Sequence, residues 1–246
     1  MKLPVIAAAA LALSAPLAAQ AEATSSAHFS NFHYEVIDLD LNDGIDAALT
    51  LDESAIVLTA GFYPTTTTFP EPFDYRVGDG TVGATVGGGS ASVSMANGTA
   101  GLSASFSGAQ GEMFGTAAIG HAFSLTANTR LVLHADADAS STFTATHHGY
   151  SHAELFISYL DDPFEVEDTV IYDSLVSNFG NNAARGLTVS LSTGAQGIDG
   201  NLGLAAGSFA TVSAVPEPSQ YAMFALGLAG LGWRLRRSRN RKSGNP

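Results

Sequence analysis

The chain has no cysteine and a single tryptophan among its 246 residues. Without thiols there is no disulfide scaffold, no thiol catalysis and no cysteine-ligated metal. Basic residues are also nearly missing from the middle: between residues 24 and 214 only Arg76, Arg130 and Arg185 occur. Of the 23 Asp and Glu in the chain, Glu22 and Glu217 lie outside that stretch, so 21 acids face 3 arginines and its formal charge is −18. A body this negative repels nucleic acid and anionic headgroups, which excludes nucleic-acid partners. Long amphipathic helical patterns are missing as well. What remains, about 190 residues, is enough for one domain that buries its core without covalent staples.

The first residues set the compartment. Lys2 supplies a positive start, Val5 to Leu13 is apolar, and Pro16 breaks the run. Ala19-Gln20-Ala21 and Ala21-Glu22-Ala23 both offer the small residues that signal peptidase reads, so the mature chain begins at Glu22 or Thr24. The apolar run is too short to span a bilayer. Residues 1–23 therefore read as a signal peptide with a short helix, and residues 24–214 as an exported body.

The body reads as strands. Ala91, Val93 and Met95 alternate with Ser90, Ser92 and Ser94; Leu102, Ala104 and Phe106 alternate with Ser103, Ser105 and Ser107; Leu187, Val189 and Leu191 alternate with Thr188, Ser190 and Ser192. Period two buries one set and leaves the other in water. Less regular runs lie at 32–41, 56–62, 122–125, 130–137, 155–160 and 202–211. Gly87-Gly88-Gly89, Asn97-Gly98, Gly180-Asn181-Asn182 and Gly200-Asn201 punctuate them as turns. Short strands with turn signals predict a mostly β fold, an antiparallel β-sandwich. Residues 78–111 carry small side chains, so register is weakly specified there. Residues 161–168 form an acidic connector.

Beyond Ala214 the composition changes. Val215-Pro216-Glu217-Pro218-Ser219 is held extended by its two prolines. Tyr221 to Trp233 follows without a charge, bracketed by aromatics. As a helix it covers about 20 Å against about 30 Å of hydrocarbon, so it spans only with help from its flanks. Arg234, Arg236, Arg237, Arg239, Arg241 and Lys242 then form a basic cluster that stays cytoplasmic. This order, Pro-Glu-Pro, apolar helix and arginine cluster over 215–246, resembles the PEP-CTERM sorting signal. The resemblance implies a Gram-negative exporter and an exosortase that recognises Pro216, Glu217 and Pro218 and removes the tail after transient inner-membrane anchoring. It also implies a bacterium that makes exopolysaccharide or biofilm. A plain anchor that is never cut is the alternative. Two body segments resemble ones seen in the same class: Asp38-Leu39-Asp40-Leu41-Asn42-Asp43-Gly44-Ile45 and Phe123-Ser124-Leu125-Thr126-Ala127-Asn128-Thr129-Arg130.

Candidate sites are few. Asp38, Asp40, Asn42, Asp43 and Asp46 supply hard oxygens on one loop and begin like a calcium-binding loop. The match then fails, because Gly44 falls one place late and the twelfth position is Leu49; a solvated Asn-Asp-Gly turn explains the same residues. Calcium is the one cofactor the pattern suggests. His147, His148 and His152 cluster, with His134 on an earlier strand, but adjacent histidines on a strand point to opposite faces, and Gly149-Tyr150-Ser151 between them reads as a turn. His134, Asp136 and Asp138 share the solvent face of one strand. Glu154, Glu165 and Glu167 are the carboxylates from which a glycosidase pair would be drawn. Asn97-Gly98-Thr99 fits a glycosylation sequon but also a hairpin turn, and Thr65 to Thr68 suits O-linked sugar. Nothing resembles a nucleophile elbow. The expectation is a non-enzymatic surface protein associated with exopolysaccharide or adhesion, with a carbohydrate-binding or carbohydrate-active protein as the alternative.

Overall fold

In the computed structural model, residues 22–64, 69–108, 110–144, 146–159 and 169–213 are described. The signal helix, Thr65 to Thr68, the acidic connector with Glu165 and Glu167, and the whole tail, including Pro216, Glu217, Pro218 and the basic cluster, lie outside them. The described residues form thirteen strands and no helix. In chain order they are β1 (Ala23–Asp38), β2 (Leu49–Leu51), β3 (Ala55–Tyr63), β4 (Phe73–Val77), β5 (Gly80–Val86), β6 (Gly89–Ala96), β7 (Thr99–Phe106), β8 (Gly111–Leu125), β9 (Thr129–Ser141), β10 (His147–Tyr159), β11 (Thr169–Ser177), β12 (Asn182–Ser192) and β13 (Ile198–Val212).

They assemble into two antiparallel sheets. The first runs β12-β9-β1-β7-β6-β5, and the second runs β11-β10-β13-β8-β3-β4 with the short β2 also on β8. The sheets lie face to face as a sandwich: β1 packs on β10 and β13, and β7 on β13 and β8. The chain changes sheets at both flanks, from β4 to β5 and from β11 to β12, so edge strands face each other there.

Alternation decides what is buried. Ala91, Val93, Met95, Leu102, Ala104, Phe106, Leu187, Val189 and Leu191 all point into the core, and their Ser and Thr neighbours point out. Many of the core residues are alanine, so the large side chains Phe29, Phe106, Met95, Met113 and Leu58 fill the space between the sheets. Two pairs of serine hydroxyls bridge the sandwich through this core. Ser25 and Ser208 lie 2.7 Å apart, and Ser141 and Ser177 3.0 Å apart, as buried hydroxyls require partners. Both sheets and the entire core cluster fall within Ala21–Ser213, a compact unit with its own hydrophobic centre, which is what a domain needs to fold alone.

Several expectations change. Residues 78–111 do not slip in register. Ala96 stands opposite Thr99 around Asn97-Gly98, both at positive φ (51° and 72°), and Val86 stands opposite Gly89 around Gly87-Gly88. Two-residue loops set the register where the small side chains do not. Gly200-Asn201 is not a turn: both residues pair within β13, and the Phe123 ring lies over Gly200, where a side chain would collide. Gly149-Tyr150-Ser151 is likewise no turn but the middle of a continuous β10. β2, β4, β5 and β11 have no counterpart in the sequence-based strands. β4 and β11 are edge strands whose apolar residues Phe73, Tyr75, Val77, Val170 and Tyr172 stay exposed, so burial alternation is weak there.

Candidate functional site

The second sheet presents an aromatic row on its outer face. Phe73 (β4), Gly61 (β3), Phe114 (β8), Phe209 (β13) and Tyr150 (β10) stand opposite one another across five strands. Tyr63 stacks on Phe114 with centroids 4.8 Å apart, Phe73 lies 6.5 Å from Phe114, and Tyr150 lies 5.9 Å from Phe209. Phe114 is only 5% exposed, whereas Phe73 and Tyr75 are about half exposed and Tyr63 and Tyr150 nearly as open. The rows on either side mix aromatic and polar side chains, with Tyr63 beside Glu112 and Thr211 in one and Tyr75 beside Thr59 and Thr116 in the other. Glu112 and Thr211 are joined by a 2.7 Å hydrogen bond from the threonine on one side, and Thr59 and Thr116 pair on the other.

Two glycines let the rings lie flat. A Cβ on Gly61 would sit 2.8 Å from the Phe114 ring, and one on Gly207 would sit 2.5 Å from the His152 ring and 2.6 Å from Phe209. Aromatic side chains covering cross-strand glycines recover apolar contact that the glycine lacks. His152 is stacked on Phe209 in this way, with centroids 6.1 Å apart. Desolvation by its neighbours pulls the His152 pKa below the ordinary imidazole value, while the nearby Glu154 charge opposes this. Its Nδ1 is buried without a hydrogen-bond partner, which further disfavours the charged ring.

The first sheet's outer face is different in kind. It carries Ser90, Ser92, Ser94, Ser103 and Ser105 in cross-strand register, with an open groove over Gly101 lined by His28, Thr81, Ser94 and Thr99. Further along, β1 meets β9 with charged and aromatic pairs: His28 Nδ1 lies 3.1 Å from Asp138 Oδ2, Asn31 Nδ2 donates to Asp136 Oδ2 at 2.6 Å, and His33 stacks on His134 at 5.0 Å.

The acidic loop closes one end of the sandwich. Asp38 Oδ1 accepts from the Asp40 amide, Asp40 Oδ1 from the Asn42 amide, and Asp43 Oδ1 from the Ile45 amide. Asp43 Oδ2 accepts from Asn128 Nδ2 at 2.7 Å, and this bond, followed by the Ile45 amide, holds the Asp43 carboxyl below the usual carboxylate range. Thr126 Oγ1 donates to the Asp46 carbonyl. The segments 38–45 and 123–130 are thus neighbours in space.

The structure separates the candidate histidines. His134 lies on the outer face of the first sheet, whereas His148 and His152 share the outer face of the second, with Tyr150 between them. His147 Nδ1 pairs with the Thr146 hydroxyl, and His148 tilts against Phe143. Asp136 and Asp138 do share the solvent face with His134. Glu154 lies two residues from His152 on one face. Among the described residues no group of three or more His, Asp or Glu is arranged to hold a metal. Sequence reading missed the aromatic row, since its residues come from five separate strands. The one signal was the recurrence of Phe and Tyr at outward positions of otherwise small-residue strands.

The tail matches the PEP-CTERM protein-sorting motif over residues 214–237. No curated protein matches the chain. Among solved structures, vicilin from hazelnut (Corylus avellana) aligns over 77% of this chain and 71% of its own at 7% identity, with a TM-score of 0.11. The sorting motif implies export, a membrane-anchored precursor and an exosortase as processing partner. The chain thus carries a PEP-CTERM protein-sorting motif at residues 214–237, which supports reading it as a PEP-CTERM sorting-domain protein.

Proposed function

We propose that the mature body is a non-enzymatic surface module that holds exopolysaccharide, binding neutral glycan chains along the aromatic row of the second sheet. The observation that carries this reading is the alignment of Phe73, Phe114, Phe209 and Tyr150 in one cross-strand row, widened by Tyr63 and Tyr75. Strands are about 4.8 Å apart, so a five-strand row offers a platform roughly 20 Å long. Ring faces take the C–H faces of sugars, and the flanking Glu112, Thr211, Thr59 and Thr116 offer hydrogen bonds to hydroxyls. The −18 charge of residues 24–214 disfavours polyanionic glycans and points to neutral ones.

The test is affinity electrophoresis of residues 22–213 in gels containing neutral polysaccharides, with reducing-end release measured in parallel. Retardation that weakens in Phe73→Ala, Tyr75→Ala and Tyr150→Ala supports the reading. Migration unaffected by any neutral glycan, or retardation indifferent to all three substitutions, overturns it. Sustained release of reducing ends would favour the second reading, a carbohydrate-active enzyme, for which Glu112 and Glu154 on the same face are the nearest acids.

A further inference from the structure

We propose that His33 and His134 form a two-imidazole site for a late first-row divalent cation, copper(II) most strongly and zinc less so, on the outer face of the first sheet. This surface is on the opposite side of the sandwich from the aromatic row, and the two readings stand independently.

The pairing is made by a bulge. Along β1, His28 stands opposite Asp138 and Ser30 opposite Asp136, both on the solvent face. Regular alternation would next bring Phe32 opposite His134. Instead His33 takes that place, because β1 advances three residues from Ser30 while β9 advances two. Asn31 sits at the irregularity with φ 55°. Phe32 packs against the core, and the imidazole goes outside. Bulges re-aim side chains in this way and are frequent beside functional sites.

The same residue fixes the ring. His33 Nδ1 lies 2.8 Å from the Asn31 carbonyl, which only accepts, so Nδ1 carries the proton and the neutral ring keeps its lone pair on Nε2. On the other strand, His134 Nδ1 lies 3.2 Å from the Thr188 hydroxyl. Neither Nε2 has a hydrogen-bond partner among the described residues. Each ring therefore has one nitrogen engaged by an outer partner and the other open, and His134 offers its Nε2 lone pair in the tautomer whose Nδ1 donates to the Thr188 hydroxyl. The rings are near parallel, 22° apart, with centroids at 5.0 Å. Metal–nitrogen bonds of about 2.0–2.1 Å require both in-plane lone pairs to meet at one point, so binding takes the rings out of their stack; His134, held only through the 3.2 Å contact with the Thr188 hydroxyl, turns about χ1 and χ2 while His33 keeps its Asn31 contact. No third His, Asp or Glu completes a metal group among the described residues, so water fills the remaining positions. Two imidazoles select copper, nickel or zinc over calcium, and copper heads the affinity order.

The experiment is calorimetric titration of residues 22–213 with copper(II) or zinc chloride, with electron paramagnetic resonance of the copper form. The expected result is one equivalent bound and a spectrum showing two nitrogen donors. His33→Gln, a change at an exposed side chain, should weaken binding by more than about tenfold and remove one nitrogen. His134→Gln should do the same with an unchanged melting curve without metal, and His28→Gln and His148→Gln should leave both readouts intact. Binding that survives both first variants, falls equally in His28→Gln or His148→Gln, shows fewer than two nitrogens, or is displaced by calcium overturns the assignment.

Discussion

The side-chain amide of Asn128 donates to Oδ2 of Asp43 across 2.7 Å, which ties the acidic loop after β1 to the turn between β8 and β9. The backbone adds a second tie, from the Leu39 amide to the Asn128 carbonyl at 2.8 Å. Asn128 holds φ 51°, a conformation that asparagine and glycine accept and alanine resists. Asn128→Gly should therefore lose only the side-chain bond, while Asn128→Ala adds about 1–2 kcal/mol of backbone strain. The melting temperatures should fall in the order wild type, Asn128→Gly, Asn128→Ala. The loop carboxylates already accept hydrogen bonds from the loop amides and from Asn128, so the fold should persist in chelator. A melting-temperature rise in millimolar calcium that disappears in the Asp38→Ala/Asp40→Ala double variant would assign the loop as a calcium site; at a hundred times Kd the rise corresponds to about 2.7 kcal/mol.

Arg185 on β12 grips Asp173 on β11 with both guanidinium nitrogens, at 2.8 and 2.5 Å, and the Thr188 amide donates to the same carboxylate at 3.0 Å. The pair joins the edge of one sheet to the edge of the other. The Arg185 hydrogen bond, followed by the Thr188 amide, holds the Asp173 carboxyl below its ordinary 3.8. A carboxyl lowered in the folded state stabilises above its unfolded pKa, and that contribution is lost as pH falls through the lower folded value. Urea unfolding below pH 4 should show this loss in wild type and not in Asp173→Asn. At neutral pH Asp173→Ala should cost about 0.2–1 kcal/mol, since the pair is partly screened by water. Arg185→Lys should not restore the bidentate contact.

His152 makes an opposite kind of contribution. Its pKa is lowered chiefly by desolvation, so the folded state resists its protonation. Stability should be full above the ordinary imidazole pKa of about 6.5 and decline as pH drops from there toward the lower folded value. His152→Phe, which keeps a flat ring beside Phe209, should flatten that part of the pH profile in thermal melts.

Ser208 and Ser25 bridge the sheets unequally. Their hydroxyls lie 2.7 Å apart, but Ser208 Oγ also donates to the Ser25 carbonyl at 3.0 Å. Ser25→Ala leaves Ser208 with that acceptor, whereas Ser208→Ala strands the Ser25 hydroxyl in the core. An unpaired buried hydroxyl costs about 1–3 kcal/mol. Chemical denaturation should rank Ser208→Ala as the more damaging change, and the double variant should cost less than the sum of the two.

The tail makes a prediction in cells. With Pro216 and Pro218 replaced by Ala, the precursor should accumulate at the membrane as the longer form, while wild-type surface material lacks Tyr221 to Pro246. Mass spectrometry of both decides it, and intact C-terminal peptides in the wild-type surface fraction would overturn removal of the tail.

Much of this was already set by local patterns. Period-two alternation in 90–95, 102–106 and 187–191 identified buried and solvent faces correctly, because burial on one face of a sheet leaves that imprint wherever both faces differ in polarity. Asn97-Gly98 read as a hairpin because few other residues accept its dihedrals. The sorting tail was legible because it is read as a contiguous string: prolines, apolar run and arginines, in order. Edge strands β4 and β11 were not legible, since partial exposure erases the alternation. Gly200 and Gly149 misled, since close approach of a neighbouring strand demands glycine as firmly as a turn does.

Only the tertiary structure decided which distant residues share a surface. The aromatic row exists because β4, β3, β8, β13 and β10 pair in one register, and a shift of one residue in β4, β8, β13 or β10 would send its ring to the other face. His33 meets His134 because a bulge at Asn31 changes the frame of β1, whereas the sequence grouped His134 with His147, His148 and His152 by proximity along the chain. Period two tells each strand which side faces water; strand order and register, set by packing across the whole sandwich, tell it which neighbours it meets there.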